Sequence, residues 1–240
     1  MSDTVNMSAV SRPYVQDEGL KDILCNIKAV AFDLDGTLCD SIGNIIACTR
    51  ALFARLDLRA PQDAEITATI GMRLEEGLRT LLPPPLKKDY EEVTLLYRRI
   101  FSEHPEFMLD RIFPGVEELL EELKARGIKI GFISGRIRKG VMRTLDATFL
   151  GDYADLIVSG DEGASKPAPD LMRLFSDRSH IPCASILGVG DSDLDVGMCL
   201  AAGSYCLAVQ TGVCNAEDFL ALEAKPQFLL PSAADLQGYL

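Results

Sequence analysis

Two aspartates directly follow a short apolar segment near the start of the chain. In AVAFDLDGT, residues 29–37, Asp33 and Asp35 are separated by a single leucine. Like charges this close repel each other, so the pair needs either a cation or a chemical role. Carboxylates at the end of a strand can act as a nucleophile, as a general acid and base, or as ligands of a hard metal ion. This stretch is therefore the first candidate for an active site.

Three further clusters of polar residues come directly after apolar segments. They are Ser134-Gly135-Arg136, Lys166 in GASKPAPD, and GDSDLD at residues 190–195, which contains Asp191, Asp193 and Asp195. Each cluster alone is weak evidence, because a strand-end aspartate is often a helix cap and a lysine is usually a surface group. In a parallel sheet the carboxyl ends of the strands meet at one edge, so all four clusters are expected to converge there.

Apolar segments of strand length recur along the chain. They cover residues 28–32, 128–134, 154–159, 185–190 and 204–209. They are continuous rather than alternating, which is typical of parallel strands covered on both faces. Helical patterns lie between them, the clearest at residues 114–127. The sequence therefore predicts an α/β fold with a doubly wound, Rossmann-like parallel sheet.

One long stretch, residues 41–112, contains helical patterns without a convincing strand. Ser41 is expected to cap its first helix, and further helical patterns cover residues 63–69, 73–82 and 87–103. We therefore expect a helical cap domain at 41–112, inserted after the first strand of a core formed by residues 27–40 and 113–240. Residues 1–26 are expected to form an N-terminal extension with a short helix over residues 17–25.

The composition narrows the class of protein. The formal net charge is −12, from 36 acidic and 24 basic residues, which argues against non-specific nucleic-acid binding. No apolar run approaches the roughly 20 residues of a membrane span, and the start of the chain lacks the pattern of a signal peptide. The 7 cysteines are an odd number without a CxxC pair, which favours a reduced, cytoplasmic protein without a zinc site.

The four polar clusters resemble the four motifs of the haloacid dehalogenase (HAD) superfamily of phosphotransferases. FDLDGTLCDS, SKPAPD and VGDSDLDVGMCLAAG are similar to the phosphoglycolate phosphatase-like branch, and the similarity covers about residues 28–215. The resemblance implies a Mg²⁺-dependent phosphatase that hydrolyses a small-molecule phosphate monoester through an aspartyl-phosphate. It also implies the helical cap.

The resemblance assigns a role to each motif residue. Asp33 is the implied nucleophile, and Asp35 the implied general acid and base. The Mg²⁺ ligands would be the carboxylates of Asp33 and Asp191 and the backbone carbonyl of Asp35. Ser134 and Lys166 would bind the phosphoryl oxygens. Asp195 has two interpretations: it orients metal-bound water or Lys166, or it is simply an acid favoured in the first turn of a helix.

Substrate contacts are less constrained by the motifs. Gly135 would let its backbone approach the phosphate closely. The second motif departs from the branch's commonest form, which has Asn-Lys in place of Gly135-Arg136, so Arg136 is either a substrate contact or a solvent-facing residue. Arg73, in the cap segment TIGMR, either binds a substrate carboxylate or lies on an exposed first turn.

Several other functions share parts of this residue pattern. Both acidic stretches fail as EF-hand loops, because the sixth residue counted from Asp191 is Val196 and the twelfth is Ala202. A sugar phosphomutase similar to β-phosphoglucomutase, or a pyrophosphatase, remains open on the same scaffold. A non-catalytic HAD-like regulatory scaffold is disfavoured because every motif position is filled. The sequence is equally compatible with a monomer and a homodimer.

Overall fold

The computed structural model describes residues 19–108 and 111–240. The strands are β1 (Ala29–Phe32), β2 (Cys39–Asp40), β3 (Arg111–Ile112), β4 (Lys129–Ser134), β5 (Leu156–Ser159), β6 (Ile186–Gly190), β7 (Tyr205–Val209) and β8 (Phe228–Leu230). Six of them form one sheet in the order β5-β4-β1-β6-β7-β8, and every pairing in it is parallel. This arrangement confirms the predicted doubly wound α/β fold.

The helices divide into those that flank the sheet and those that lie between β2 and β3. The first group is α1 (Leu20–Leu24), α6 (Val116–Ala125), α7 (Arg138–Ala147), α8 (Asp170–Ser179), α9 (Asp193–Ala202) and α10 (Ala216–Ala221). The second group is α2 (Ile42–Arg55), α3 (Asp63–Thr67), α4 (Leu74–Leu81) and α5 (Tyr90–Glu103). Short 3₁₀ helices cover Pro84–Asp89, Pro105–Met108, Phe149–Asp152, Gly160–Glu162, Cys183–Ser185 and Ala234–Tyr239. Among the described residues, no helix is both long enough and apolar enough to span a membrane.

The central strand β1 is buried along its whole length. Val30 and Phe32 pack into the hydrophobic core on one face of the sheet, and Ala29 and Ala31 pack into the core on the other. The parallel register aligns Phe32 with Phe132 of β4 and with Val189 of β6. The residues that follow these three strands therefore emerge side by side at one edge of the sheet.

The chain leaves and re-enters the core through a small antiparallel ladder. Cys39 pairs with Ile112 and Asp40 with Arg111. Helices α2, α4 and α5, which lie between these strands, share a hydrophobic core of their own that includes Leu52, Leu78, Val93 and Ile100. This arrangement supports the cap insertion, and we retain residues 41–112 as our proposed domain division.

Local elements differ from the prediction at several points. Strands β2, β3 and β8 were not predicted. The segment 87–103 is helical, but its α-helix begins only at Tyr90, after a 3₁₀ helix that Pro84 and Pro85 initiate. The predicted helix at 114–127 begins only at Val116, because Gly115 has a φ of 80° at its N-cap. It ends at Ala125, two residues before Gly127, whose φ is 71°. Of the helix expected at 17–25, the described part is Leu20–Leu24, and residues 1–18 lie outside the described residues.

Candidate active site

Asp33 and Asp35 lie in the turn that follows β1. The backbone N–H of Asp33 donates to Val189 O of β6 at 2.9 Å, so the sheet itself fixes the position of this residue. Both aspartates are buried. Gly36 has a φ of 80°, and a Cβ there would collide with the carboxylate of Asp191. The glycine therefore allows the turn after β1 and the turn after β6 to approach each other.

The structure brings three of the predicted carboxylates together around one lysine. Carboxylate oxygens of Asp33, Asp191 and Asp195 all lie within 4.8 Å of one another, and all three residues are buried. The buried Lys166 Nζ donates to Asp33 Oδ1 at 2.6 Å, to Asp195 Oδ1 at 2.7 Å and to Ile133 O at 3.0 Å. The cluster thus holds three carboxylates and one ammonium group, which contacts two of them, so its positive charge does not balance its negative charge.

The pKa values of the cluster reflect this excess of negative charge. Burial raises the pKa of Asp33 to about 7; Lys166 counteracts that effect, whereas the carboxylates of Asp195 and Asp35 add to it. Burial, Asp195 and Asp33 likewise raise the pKa of Asp191 well above its ordinary value. Burial opposes the charge of Lys166, but Asp195 and Asp33 raise its pKa, so it stays protonated. A hard divalent cation, which prefers oxygen ligands, would relieve the repulsion, so the donor set fits such an ion.

Two of the carboxylates are anchored from nearby turns. Asp191 Oδ1 accepts a hydrogen bond from Thr37 Oγ1 at 2.7 Å, and Asp191 Oδ2 accepts one from the N–H of Val213 at 2.8 Å. Asp195 accepts from Ser192, the N-cap of α9, as well as from Lys166. Asp195 thus contacts Lys166 and also lies in the first turn of α9, so the two interpretations of this residue are compatible. The hydrogen bond from the N–H of Val213 to Asp191 was not predicted, because nothing in the sequence around Val213 signals it.

Arg136 contacts Asp35, which neither sequence interpretation anticipated. Its Nε donates to Asp35 Oδ2 at 2.7 Å, its Nη2 donates to Asp35 Oδ1, and its Nη1 donates to Thr144 Oγ1 at 2.7 Å. Ser41 Oγ also donates to Asp35 Oδ1. Ser41 does precede α2, as expected, but its side chain makes no capping bond there.

The cap loop lies directly on the second motif. A Cβ at Gly135 would come within 2.7 Å of Met72 O and even closer to Gly71 O. The backbone N–H of Arg73 donates to Ser165 Oγ at 3.2 Å, next to Lys166 in the chain. Ser134 is buried at the end of β4, and its Oγ accepts from the N–H of Arg136 at 3.2 Å. Glycine at 135 is thus required for the cap to close on the core.

Comparison with known proteins adds independent evidence. The profile of the family described as "Haloacid dehalogenase-like hydrolase" matches residues 30–209. The chain belongs to this family. It is 29% identical to the phosphoglycolate phosphatase of Aquifex aeolicus over 88% of this chain and 95% of the relative. It is also 29% identical to the phosphoglycolate phosphatase of Escherichia coli K12, over 78% and 82% of the two chains.

The fold comparison agrees with the sequence comparison. A haloacid dehalogenase-like family hydrolase from Streptococcus pneumoniae has a TM-score of 0.77 at 20% identity, covering 90% of this chain and 99% of that one. At this identity the likeness shows the fold alone. Together with the family match, the comparisons confirm the predicted membership of the HAD superfamily and the predicted enzyme class, a HAD-like phosphatase.

A cavity opens between the cap and the core of this HAD-like enzyme. Its volume is about 850 Å³, and Asp33 and Asp35 lie in its wall. Gly135 and Arg136 line it as well, whereas Arg73 is not among the described residues that do. The Nε of Arg73 is buried without a hydrogen-bond partner. The structure therefore places four of the predicted site residues in the wall of one cavity. Lys166, Asp191 and Asp195 lie behind Asp33 in the buried cluster, and Arg73 lies outside the wall.

Proposed function

We propose that this HAD-like enzyme is a Mg²⁺-dependent phosphatase that hydrolyses a small-molecule phosphate monoester through an aspartyl-phosphate on Asp33. The observation that carries the proposal is the buried convergence of Asp191 and Lys166 on Asp33, which itself lies in the wall of a cavity. A nucleophile, acidic metal ligands and a fixed positive charge are what phosphoryl transfer requires at one point.

The metal ligands in this proposal are the carboxylates of Asp33 and Asp191 and the backbone carbonyl of Asp35. The bound Mg²⁺ would neutralise negative charge on the phosphoryl oxygens. Asp195 belongs to the same carboxylate cluster, but its oxygens already accept from Lys166 and Ser192. We therefore assign Asp195 the role of holding Lys166 in place.

The first step in this mechanism is attack by the Asp33 carboxylate on phosphorus. Lys166, which already donates to Asp33 Oδ1, and Ser134 would stabilise the charge of the phosphoryl oxygens. The bond from phosphorus to the ester oxygen breaks as the new bond to Asp33 forms. Asp35 donates a proton to the departing alcohol.

The second step is hydrolysis of the aspartyl-phosphate. Asp35, now a carboxylate, removes a proton from water, and the resulting hydroxide attacks phosphorus. The bond between phosphorus and Asp33 breaks, which releases inorganic phosphate and regenerates the enzyme. Because Arg136 donates to both oxygens of Asp35, we assign Arg136 the orientation of this carboxylate. The cap loop over Gly135 would exclude other water from the site.

A phosphate-release assay tests the proposal. Purified protein with Mg²⁺ should release phosphate from p-nitrophenyl phosphate, and a chelator should abolish the release. A panel of phosphoglycolate, pyrophosphate, sugar monophosphates and nucleotide monophosphates then separates the substrate classes. Transfer of the phosphoryl group to a sugar hydroxyl would instead identify a phosphomutase. Failure on every member of the panel would contradict the proposal and favour a non-catalytic scaffold.

A further inference from the structure

The cavity beside Asp33 and Asp35 is far larger than a two-carbon acid needs. Its volume of about 850 Å³ lies within the range of roughly 300–1,000 Å³ that accommodates drug-sized ligands. Phosphoglycolate, the substrate named for two of the relatives, carries only a glycolate group beyond its phosphate. Most of the cavity would stay unfilled around such a leaving group.

The walls of the cavity are mostly apolar and come from both domains. Helix α4 contributes Leu78 and Leu81, α5 contributes Tyr97 and Phe101, and α7 contributes Met142. These helices lie in the cap and in the core, so the apolar surface encloses a ligand from two sides. Because the same cavity reaches Asp33 and Asp35, its apolar part is where the group esterified to the phosphate would lie.

Three of the four cationic side chains in the wall already have partners within the protein, and the fourth, Lys139, is an exposed residue of α7. Arg98 forms an ion pair with Glu75 at 2.5 Å, and Arg136 is bound to Asp35. The guanidinium of Arg143 lies 4.5 Å from the centroid of the Phe101 ring. The wall cations other than Lys139 are thus engaged, so most of the wall favours an apolar group over a second anionic group.

We propose that the preferred substrate is the phosphate monoester of a bulky, largely apolar alcohol, such as an aromatic one. The proposal rests on the phosphatase activity proposed above and specifies the substrate class of that site. Burial of an aromatic ring in an apolar cavity is favourable roughly in proportion to the area removed from water. Selectivity would therefore follow the size of the apolar group.

A substrate series tests this selectivity. Benzyl phosphate and phosphoglycolate are both esters of primary alcohols, so the comparison depends mainly on the shape and charge of the alcohol. We expect kcat/KM for benzyl phosphate to exceed that for phosphoglycolate by about tenfold or more. A higher kcat/KM for phosphoglycolate than for benzyl phosphate would overturn the proposed substrate class. It would leave the proposed phosphatase activity standing, provided that p-nitrophenyl phosphate is hydrolysed. No hydrolysis of any ester would instead overturn the proposed function.

Two variants of the cavity wall and a matched control test whether the wall causes the preference for benzyl phosphate. Leu81→Gln and Met142→Gln each make one wall of the cavity polar while they nearly conserve volume. We expect each to reduce the ratio of kcat/KM for benzyl phosphate to kcat/KM for phosphoglycolate several-fold. Leu95 lies on α5, is 63% exposed and is not a lining residue, so Leu95→Gln should have no effect.

Binding gives a readout that does not require turnover. Benzylphosphonate should bind the unmodified enzyme with Mg²⁺ about tenfold more tightly than methylphosphonate by calorimetry. Leu81→Gln and Met142→Gln should both reduce this difference in affinity between the two phosphonates. An unchanged difference in two variants that fold normally by circular dichroism would overturn the proposal.

Discussion

Arg136 holds both carboxylate oxygens of Asp35 through its Nε and Nη2. The two residues are 101 positions apart in the chain, and their side chains are only 17% and 10% exposed. Forked contacts of this kind fix the plane of a carboxylate as well as its position. The proposed general acid and base is therefore held in one orientation before any substrate binds.

We expect Arg136→Gln to lower both activity and stability. Removing the guanidinium leaves Asp35 buried with Ser41 as its remaining side-chain partner among the described residues, at a cost of about 1–3 kcal/mol. Activity on p-nitrophenyl phosphate should fall by about 10- to 100-fold, since the carboxylate loses its fixed orientation. Arg136→Lys keeps the charge but loses the forked contact, so it should recover only part of the activity. Full activity in Arg136→Gln would contradict the orienting role.

We expect Asp33→Asn to lower turnover at least about a thousandfold, because it removes the proposed nucleophile. The fold should persist. Burial and neighbouring carboxylates already raise the pKa of Asp33, so a neutral side chain at this position relieves repulsion. Phosphate release and thermal unfolding in a chelator provide the two measurements. A substantial residual rate would refute the assignment of Asp33 as nucleophile.

Added Mg²⁺ should raise the melting temperature of the protein by several degrees. A ligand that binds only the folded state stabilises it by about 2.7 kcal/mol at one hundred times its dissociation constant. Differential scanning fluorimetry with and without Mg²⁺ measures the shift. Asp191→Asn removes a proposed ligand and should abolish it, whereas substitution of the exposed Glu103 by Gln should preserve it. An equal shift in Asp191→Asn would place the ion elsewhere.

Gly135→Ala should impair closure of the cap. The new methyl group would lie within 2.7 Å of Met72 O, so the loop would have to move away from the core. We expect a fall in kcat/KM and faster proteolysis of the cap loop. Gly43 on α2 provides the matched control, since a Cβ there meets nothing within 4 Å. Gly43→Ala should leave activity unchanged and slightly raise stability. Normal activity in Gly135→Ala would show that loop contact is dispensable.

The lowered pKa of Glu162 predicts that the stability of the protein depends on pH. Burial tends to raise the pKa of Glu162, but hydrogen bonds from Ser159 and Arg178 lower it from 4.5 to about 2. The resulting stabilisation is complete above pH 4.5 and is lost as the pH falls toward 2. Glu162→Gln should therefore lower the melting temperature at pH 7, and the difference from the unmodified protein should narrow below pH 4.5. A difference that does not change over this range would contradict the prediction.

Much of the core fold could be predicted from local patterns. The five apolar segments predicted as strands became β1, β4, β5, β6 and β7, within two residues at each end. Strands β2 and β3 have only two residues each, which is too short to carry a periodic pattern. The three residues of β8 are likewise defined by pairing with β7 rather than by their own sequence.

The sequence by itself determined the residue types at the strand ends and, through the parallel sheet, their convergence at one edge. Asp33 and Asp191 met because register places the ends of the neighbouring strands β1 and β6 side by side. Only the tertiary structure decided that Arg136 binds Asp35, that the cap loop lies on Gly135, and that the cavity is apolar. These contacts join segments from separate elements, and their geometry depends on how the cap packs against the core. Local periodicity carries no information about that packing.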